Sequence, residues 1–386
     1  MNRIVILGAG YAGMAATVSL AARTTRRDDV HITLVNADER FTERLRLHQT
    51  ASGQQLADLR IPHLLDGTGV DFVRGWVTAV DPDARTVRID DERSLAYDRL
   101  VYALGSVADT TAVPGVDDHA YTLNSAHDAE LLARQLAGLG SGTVAVCGSG
   151  LTGVEAAAEL AERHPALDVV LIGRQEPGST LGPRARAYVH GALARLGVRV
   201  LSGAEIVTVR PGAVDLAGGD SVPADLVLWT SGVRVSPLAA AAGLRVDERG
   251  RIVTDPALRS VSHPQVYAVG DAAAVRQGYG VVHGTCQSGM PTGVHAALSI
   301  ARELTGRQPG RFRFGYLHAP VSLGRRDAVV QFTHPDDSPG RLCLTGRPAT
   351  WYKETVSSSP WPSFARLKRF PSVGLLAWRR GGRYTR

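Results

Sequence analysis

Cysteine is scarce: Cys147, Cys286 and Cys343 are the only three in 386 residues, and they form neither a CxxC pair nor a metal-ligand spacing. A disulfide framework, a bound metal and a dithiol relay are therefore not expected, and a reducing compartment fits. No apolar run reaches the ~18 residues of a membrane-spanning helix. Met1 leads straight into the apolar stretch Ile4-Val5-Ile6-Leu7 with no signal-peptide pattern, so the expectation is a cytoplasmic protein. Disordered tracts are missing too, because 44% apolar and 21% charged residues make an ordinary globular composition. Acidic residues are absent from positions 366–386, which carry seven Arg or Lys; the other 36 basic residues face 37 acidic ones. The net charge of +6 therefore belongs to the tail. No basic face and no recognition motif accompany it, so no nucleic-acid partner is expected.

At ~100–200 residues per domain, the length suggests two or three domains. Residues 3–7 read as a buried parallel strand, followed by a glycine turn, an apolar helix from Ala12 to Ala22 and a second strand from His31 to Val35. This is a βαβ unit of the usual ~30 residues. An Arg-rich helix-like stretch (Phe41 to Ala51), a hairpin around Asp81-Pro82-Asp83 and a strand ending at Gly105-Ser106 follow. A second βαβ unit begins at Thr143 and passes through Gly148-Ser149-Gly150-Leu151-Thr152-Gly153 into the helix Val154–Arg163 and the strand Val169–Ile172. Later, Gln265–Val269 is a buried strand that stops on Gly270-Asp271, and Cys286–Leu304 reads as a helix. A smaller region beyond Gly310 ends in the basic tail.

The first triad is Gly8, Gly10 and Gly13. Gly8 permits the tight strand-to-helix turn, Gly10 lets a pyrophosphate approach the backbone, and Gly13 lets helix and strand pack. The phosphates would sit on the helix N-terminus, where unpaired N–H groups and the helix dipole attract anions. Gly148, Gly150 and Gly153 repeat the pattern. Each triad lies between a strand and a helix, with another strand ~20 residues on, so two dinucleotides are expected. In the first unit the ribose position holds Asn36, with Asp38 nearby, rather than an acid. In the second it holds Gly173-Arg174-Gln175, which lacks the carboxylate that repels a 2′-phosphate and offers an arginine that binds one. The reading leans to NADPH over NADH, with a solvated Arg174 the level alternative.

The order GAGYAG (8–13), ALGS (103–106), GSGLTGVE (148–155), LWTSGV (228–233) and YAVGD (267–271) resembles the two-dinucleotide-binding-domain flavoproteins, most closely the type II NAD(P)H:quinone oxidoreductases. The resemblance implies an α/β fold with two Rossmann-like units and a small C-terminal region. The FAD unit would be discontinuous over 1–110 and 246–310, the NAD(P)H unit inserted at 111–245, and 311–386 an interface region. It assigns Tyr11, Ala12, Arg44, Gly105, Gly270 and Asp271 to the FAD site, with Asp271 on the ribityl chain. Leu151, Thr152 and Gly232 go with the nicotinamide nucleotide. It places Glu155 near nicotinamide and flavin, although an acid in a helix's first turn is also favoured by the dipole. Gln287 would face a quinone carbonyl and Lys353 the quinone exit. His48, with Arg46 and Gln49, either faces the flavin or lies on a charged helix face. Cys286 is read as a small buried hydrophobe.

The expected activity is hydride transfer from NAD(P)H to FAD and on to a quinone-like acceptor. Alternatives are a tailoring flavoenzyme acting on an aromatic natural product, a reductase of a small redox protein, and a non-catalytic redox-signalling flavoprotein. Without a cysteine pair in 44–49, disulfide-reductase and sulfide:quinone chemistry are disfavoured. In the tail, Trp361, Phe364, Leu367, Phe370, Leu375, Leu376 and Trp378 interleave with basic residues, which suits peripheral contact with an anionic membrane. Pro360, Pro362 and Pro371 argue against a long amphipathic helix there, and capping a core or pairing subunits in a homodimer are the alternatives.

Overall fold

The computed structural model describes residues 1–371. The chain opens with β1 (Asn2–Leu7), α1 (Tyr11–Thr24), β2 (Val30–Asn36), the short helix α2 (Leu47–Ala51), β3 (Val70–Arg74) and β4 (Arg99–Tyr102). The second unit holds β5 (Gly142–Cys147), α3 (Leu151–Arg163), β6 (Leu167–Gly173), α4 (Pro183–Arg195), β7 (Arg199–Ser202) and β8 (Leu226–Trp229). Then come β9 (Val266–Ala268) and α5 (Cys286–Glu303), and after them β10 (His318–Ser322), β11 (Ala328–Thr333), β12 (Pro339–Thr345), α6 (Arg347–Ser358) and α7 (Pro360–Arg369).

Two parallel sheets carry the architecture. The first has the order β9-β4-β1-β2-β3 and the second β7-β6-β5-β8, so the protein is an α/β fold with two Rossmann-like units. Val266 pairs with Leu100 in parallel, which returns the late strand β9 to the sheet that the first residues began. Strands buried on both faces need continuous apolar runs, and Ile4 to Leu7 and Val144 to Cys147 supply them. A third, antiparallel sheet, β10-β11-β12, packs with α6 after residue 317.

Helices α1 and α5 cross at backbone distance. A Cβ added to Gly293 would run into the carbonyl oxygen of Ala12, so that crossing requires glycine. Both helices sit against the first sheet, and Met14, Val294 and Ile300 are fully buried with it.

One expectation is corrected. The helix anticipated over 41–51 is shorter, because Phe41 is drawn into the core and its N–H donates to Leu59 O at 2.8 Å. That leaves an extended entry, a single turn at Arg44–Arg46 and then α2. The tail aromatics Trp361 and Phe364 pack on Phe41 at 5.6 and 5.4 Å between ring centroids, and Leu367 is buried beside them. These three apolar side chains of α7 therefore pack on a core. Pro360 and Pro362 are tolerated because both lie in the first turn of α7, where N–H groups have no intrahelical acceptor. Leu375, Leu376 and Trp378 lie outside the described residues. Among the described residues no helix is long and apolar enough to cross a membrane.

Candidate functional site

The first glycine turn is built by close approach. Gly8 holds φ +92°, and a Cβ there would lie 2.6 Å from Ala103 O; a Cβ on Gly13 would collide with Gly8 O. Gly10, the N-cap of α1, has nothing within 4 Å of its Cβ position and so leaves the helix N-terminus open. The second turn repeats this geometry: Gly148 has φ +123°, Gly153 abuts Gly148 O, and Gly150 is open. At the end of β2 the Asn36 amide accepts from Ala9 N at 2.8 Å and donates to Asp38 O at 2.7 Å, bracing the turn.

A cavity of about 1200 Å³ starts at this first turn. It is lined by Gly8, Gly10, Tyr11, Ala12, Asn36, Arg44, Gly105, Gly270 and Asp271, and it continues to Leu151, Thr152, Glu155, His48, Gln287 and Lys353. Asp271 accepts from Ser106 Oγ at 2.7 Å, while Arg44 donates to Ser106 O at 2.6 Å, so both charged groups are held at the wall. The N-terminus of α5 also opens here. Its capping box is Thr285–Ser288, and the first turn that the box opens is a positive dipole end. Cys286 sits in that turn with its thiol pushed up to about 11 by burial, so it is a neutral thiol at neutral pH.

At the far end, groups from four segments meet. Lys353 Nζ lies 2.7 Å from Glu155 Oε1, which also accepts from Ser322 N at 2.9 Å and Ser322 Oγ at 3.2 Å. Ser322 Oγ is 3.3 Å from His48 Nε2, and His48 Nδ1 is 4.0 Å from the other oxygen of Glu155. Burial raises the Glu155 carboxyl, but Lys353 and the Ser322 bond outweigh it and hold the group below its ordinary value. His48 is lowered to about 4, chiefly by burial, and is neutral at pH 7. The wall thus carries a fixed carboxylate and a fixed ammonium with a neutral imidazole beside them.

Gln287 lines the cavity and braces its wall: its amide donates to His318 O at 2.9 Å and accepts from Leu317 N at 2.7 Å, at the entry of β10. Gly148, Gly150, Gly153, Arg174 and Gly232 do not line the cavity; they lie on the second unit, where Arg174 is exposed. Ser322, which links Glu155 to His48, escaped sequence reading and has no local signal. Glu159 also escaped, although its place one turn after Glu155 was legible. It is buried beside Gln54 and Arg325, and burial raises its carboxyl to about 7.

The pyridine nucleotide-disulphide oxidoreductase profile matches residues 2–299. The chain belongs to that family. It is 31% identical to an NADH dehydrogenase-like protein of Mycobacterium tuberculosis over 93% of this chain and 94% of that protein. It is 28% identical to a type II NADH:quinone oxidoreductase of Staphylococcus aureus over 92% and 94%. The NDH2 structure from Plasmodium falciparum in complex with NADH superposes with a TM-score of 0.80 at 15% identity, covering 96% and 97%. Membership carries the cofactor pair that the two glycine turns anticipate, FAD and NADH or NADPH. The cavity fits FAD on its own terms: open glycines at a helix N-terminus for pyrophosphate, a wall carboxylate for hydroxyls, and a second helix N-terminus for an electron-rich ring.

Proposed function

We propose that this oxidoreductase takes a hydride from NAD(P)H and passes the electrons through FAD to a quinone-like acceptor. The observation that carries the reading is the single cavity joining the first glycine turn, Asp271 and the α5 N-terminus to the buried Glu155–Lys353 pair. Bound FAD supplies hydride acceptance and electron donation, and the protein supplies position and charge. In the overall reaction NAD(P)H, one proton and a quinone give NAD(P)⁺ and a hydroquinone, so a proton source is required at the acceptor end. Lys353 brings the N–H groups of Nζ there, and Glu155 orients them. His48, neutral and bonded to Ser322, fixes the serine whose N–H and hydroxyl hold Glu155. The mostly apolar wall of the cavity suits a flat, apolar acceptor ring.

The test is anaerobic mixing of the flavin-loaded protein with NADPH or NADH while following flavin absorbance, then addition of a short-chain quinone. Bleaching followed by quinone-driven recovery is expected. Flavin that neither nucleotide bleaches refutes the hydride relay; bleaching without recovery refutes the quinone acceptor.

A further inference from the structure

We infer that the second unit is built for NADPH, with the 2′-phosphate on Arg174; this rests on the proposed function, since it names the hydride donor of the same site. In a Rossmann unit a carboxylate at the end of the second strand binds the ribose 2′-hydroxyl of NADH and repels a 2′-phosphate. Here that position is Gly173, the last residue of β6.

The glycine is enforced by its surroundings. A Cβ at 173 would lie 2.7 Å from Ser149 Cβ and 2.8 Å from Ser149 N, inside the glycine turn itself. Ser149 cannot retreat, because its hydroxyl donates to Gln175 O at 2.6 Å and so straps the turn to the residues after β6. An aspartate or glutamate at 173 would therefore displace the turn that receives the pyrophosphate. The carboxylate next along the loop, Glu176, lies with Oε2 3.2 Å from His190 Nε2 on α4.

What remains at the strand end is cationic. Arg174 follows Gly173 directly, is exposed, and among the described residues has no ion-pair partner. Arg184 and Arg186, in the first turns of α4 at the far end of the same loop, are exposed as well. A guanidinium beside a glycine turn offers the planar, two-pronged donor set that a phosphate monoester accepts. The two ends of the nucleotide are then read separately: the turn holds the pyrophosphate common to both nucleotides, and Arg174 holds the group that distinguishes them.

The test uses the flavin-loaded protein and two fragments lacking nicotinamide, 2′-phospho-ADP-ribose and ADP-ribose, titrated calorimetrically. The phosphorylated fragment is expected to bind about tenfold tighter or better, as suits a charge-assisted contact. The R174A variant should bring the ratio of the two affinities close to one, and anaerobic bleaching rates with NADPH and NADH should converge in parallel. A wild-type protein that binds ADP-ribose as tightly as its phosphorylated form overturns the inference, and so does an R174A variant with an unchanged ratio. In either case bleaching by NADH leaves the hydride relay standing. Failure of both fragments to bind, with no bleaching by either nucleotide, removes the relay and the inference together.

Discussion

Replacing Lys353 by methionine keeps most of the buried aliphatic stem and removes only the charge. The ammonium and the Glu155 carboxylate are 2.7 Å apart with side chains 5% and 12% exposed. At that separation and an effective dielectric near 20, the attraction of two unit charges is about 6 kcal/mol. Desolvation of both ions offsets much of it, so the pair as a whole adds little over a well-packed neutral pair. Deleting one partner is different, because the other is stranded, at a cost of ~3–5 kcal/mol. K353M should lose that much, and its Glu155, no longer held ionised by Lys353, should take up a proton at higher pH. E155Q should lose less, since Lys353 Nζ retains Pro320 O at 3.3 Å. The double variant K353M/E155Q should recover most of the loss, giving a coupling of at least ~2 kcal/mol. Urea unfolding of the four proteins at pH 7, followed by circular dichroism, measures the cycle. Single losses below ~0.5 kcal/mol, or losses that simply add, would show that the pair is solvated and that the electrostatic account of the wall is wrong.

Glu159 gives a pH signature of known sign. Its folded carboxyl is raised to about 7 from an ordinary 4.5, so the folded state holds a proton that the unfolded chain has released, and stability falls as pH rises through that window. E159Q removes the slope. Relative to wild type it should be more stable at pH 8 than at pH 5, and parallel urea midpoints at the two values would count against the assignment. At the α1–α5 crossing, G293A should cost ~1–3 kcal/mol by overpacking and lower the flavin-to-protein absorbance ratio, because the helices that it separates flank the first turn. The control is G310A, where a Cβ meets nothing within 4 Å. Equal melting temperatures for the two variants would refute the close contact.

The two βαβ units were legible because their signals are local. Gly8 to Gly13 and Gly148 to Gly153 each fall between a buried run and an apolar helix, and the clashes at Gly13 and Gly153 show why no other residue serves there. Glu155 and Asp271 were legible by their place at the ends of such elements. The company Glu155 keeps was not, because Lys353, Ser322 and His48 reach it from segments some 107 to 198 positions away, and a serine at the end of an ordinary antiparallel strand carries no mark of that contact. Gln287 shows the reverse limit: its position beside the cavity was readable, but the backbone that occupies its amide belongs to residues 317–318. The α7 aromatics were ambiguous because alternation of basic and apolar residues describes a membrane face and a core cap equally well, and Phe41, on which Trp361 and Phe364 pack, lies over 300 positions upstream.

The return of β9 to the first sheet also orders events during synthesis. Chains emerge N-terminus first, yet the sheet begun by residues 2–7 lacks its edge strand until residue 268 has left the ribosome, and Asp271 and α5 follow later still. The four strands of the second sheet lie between 142 and 229 and are complete earlier. The unit encoded in the middle is thus free to fold while the one encoded at the start waits, with the α1 surface that Gly293 will cover still exposed. That interval is when a chaperone or free flavin has most to protect.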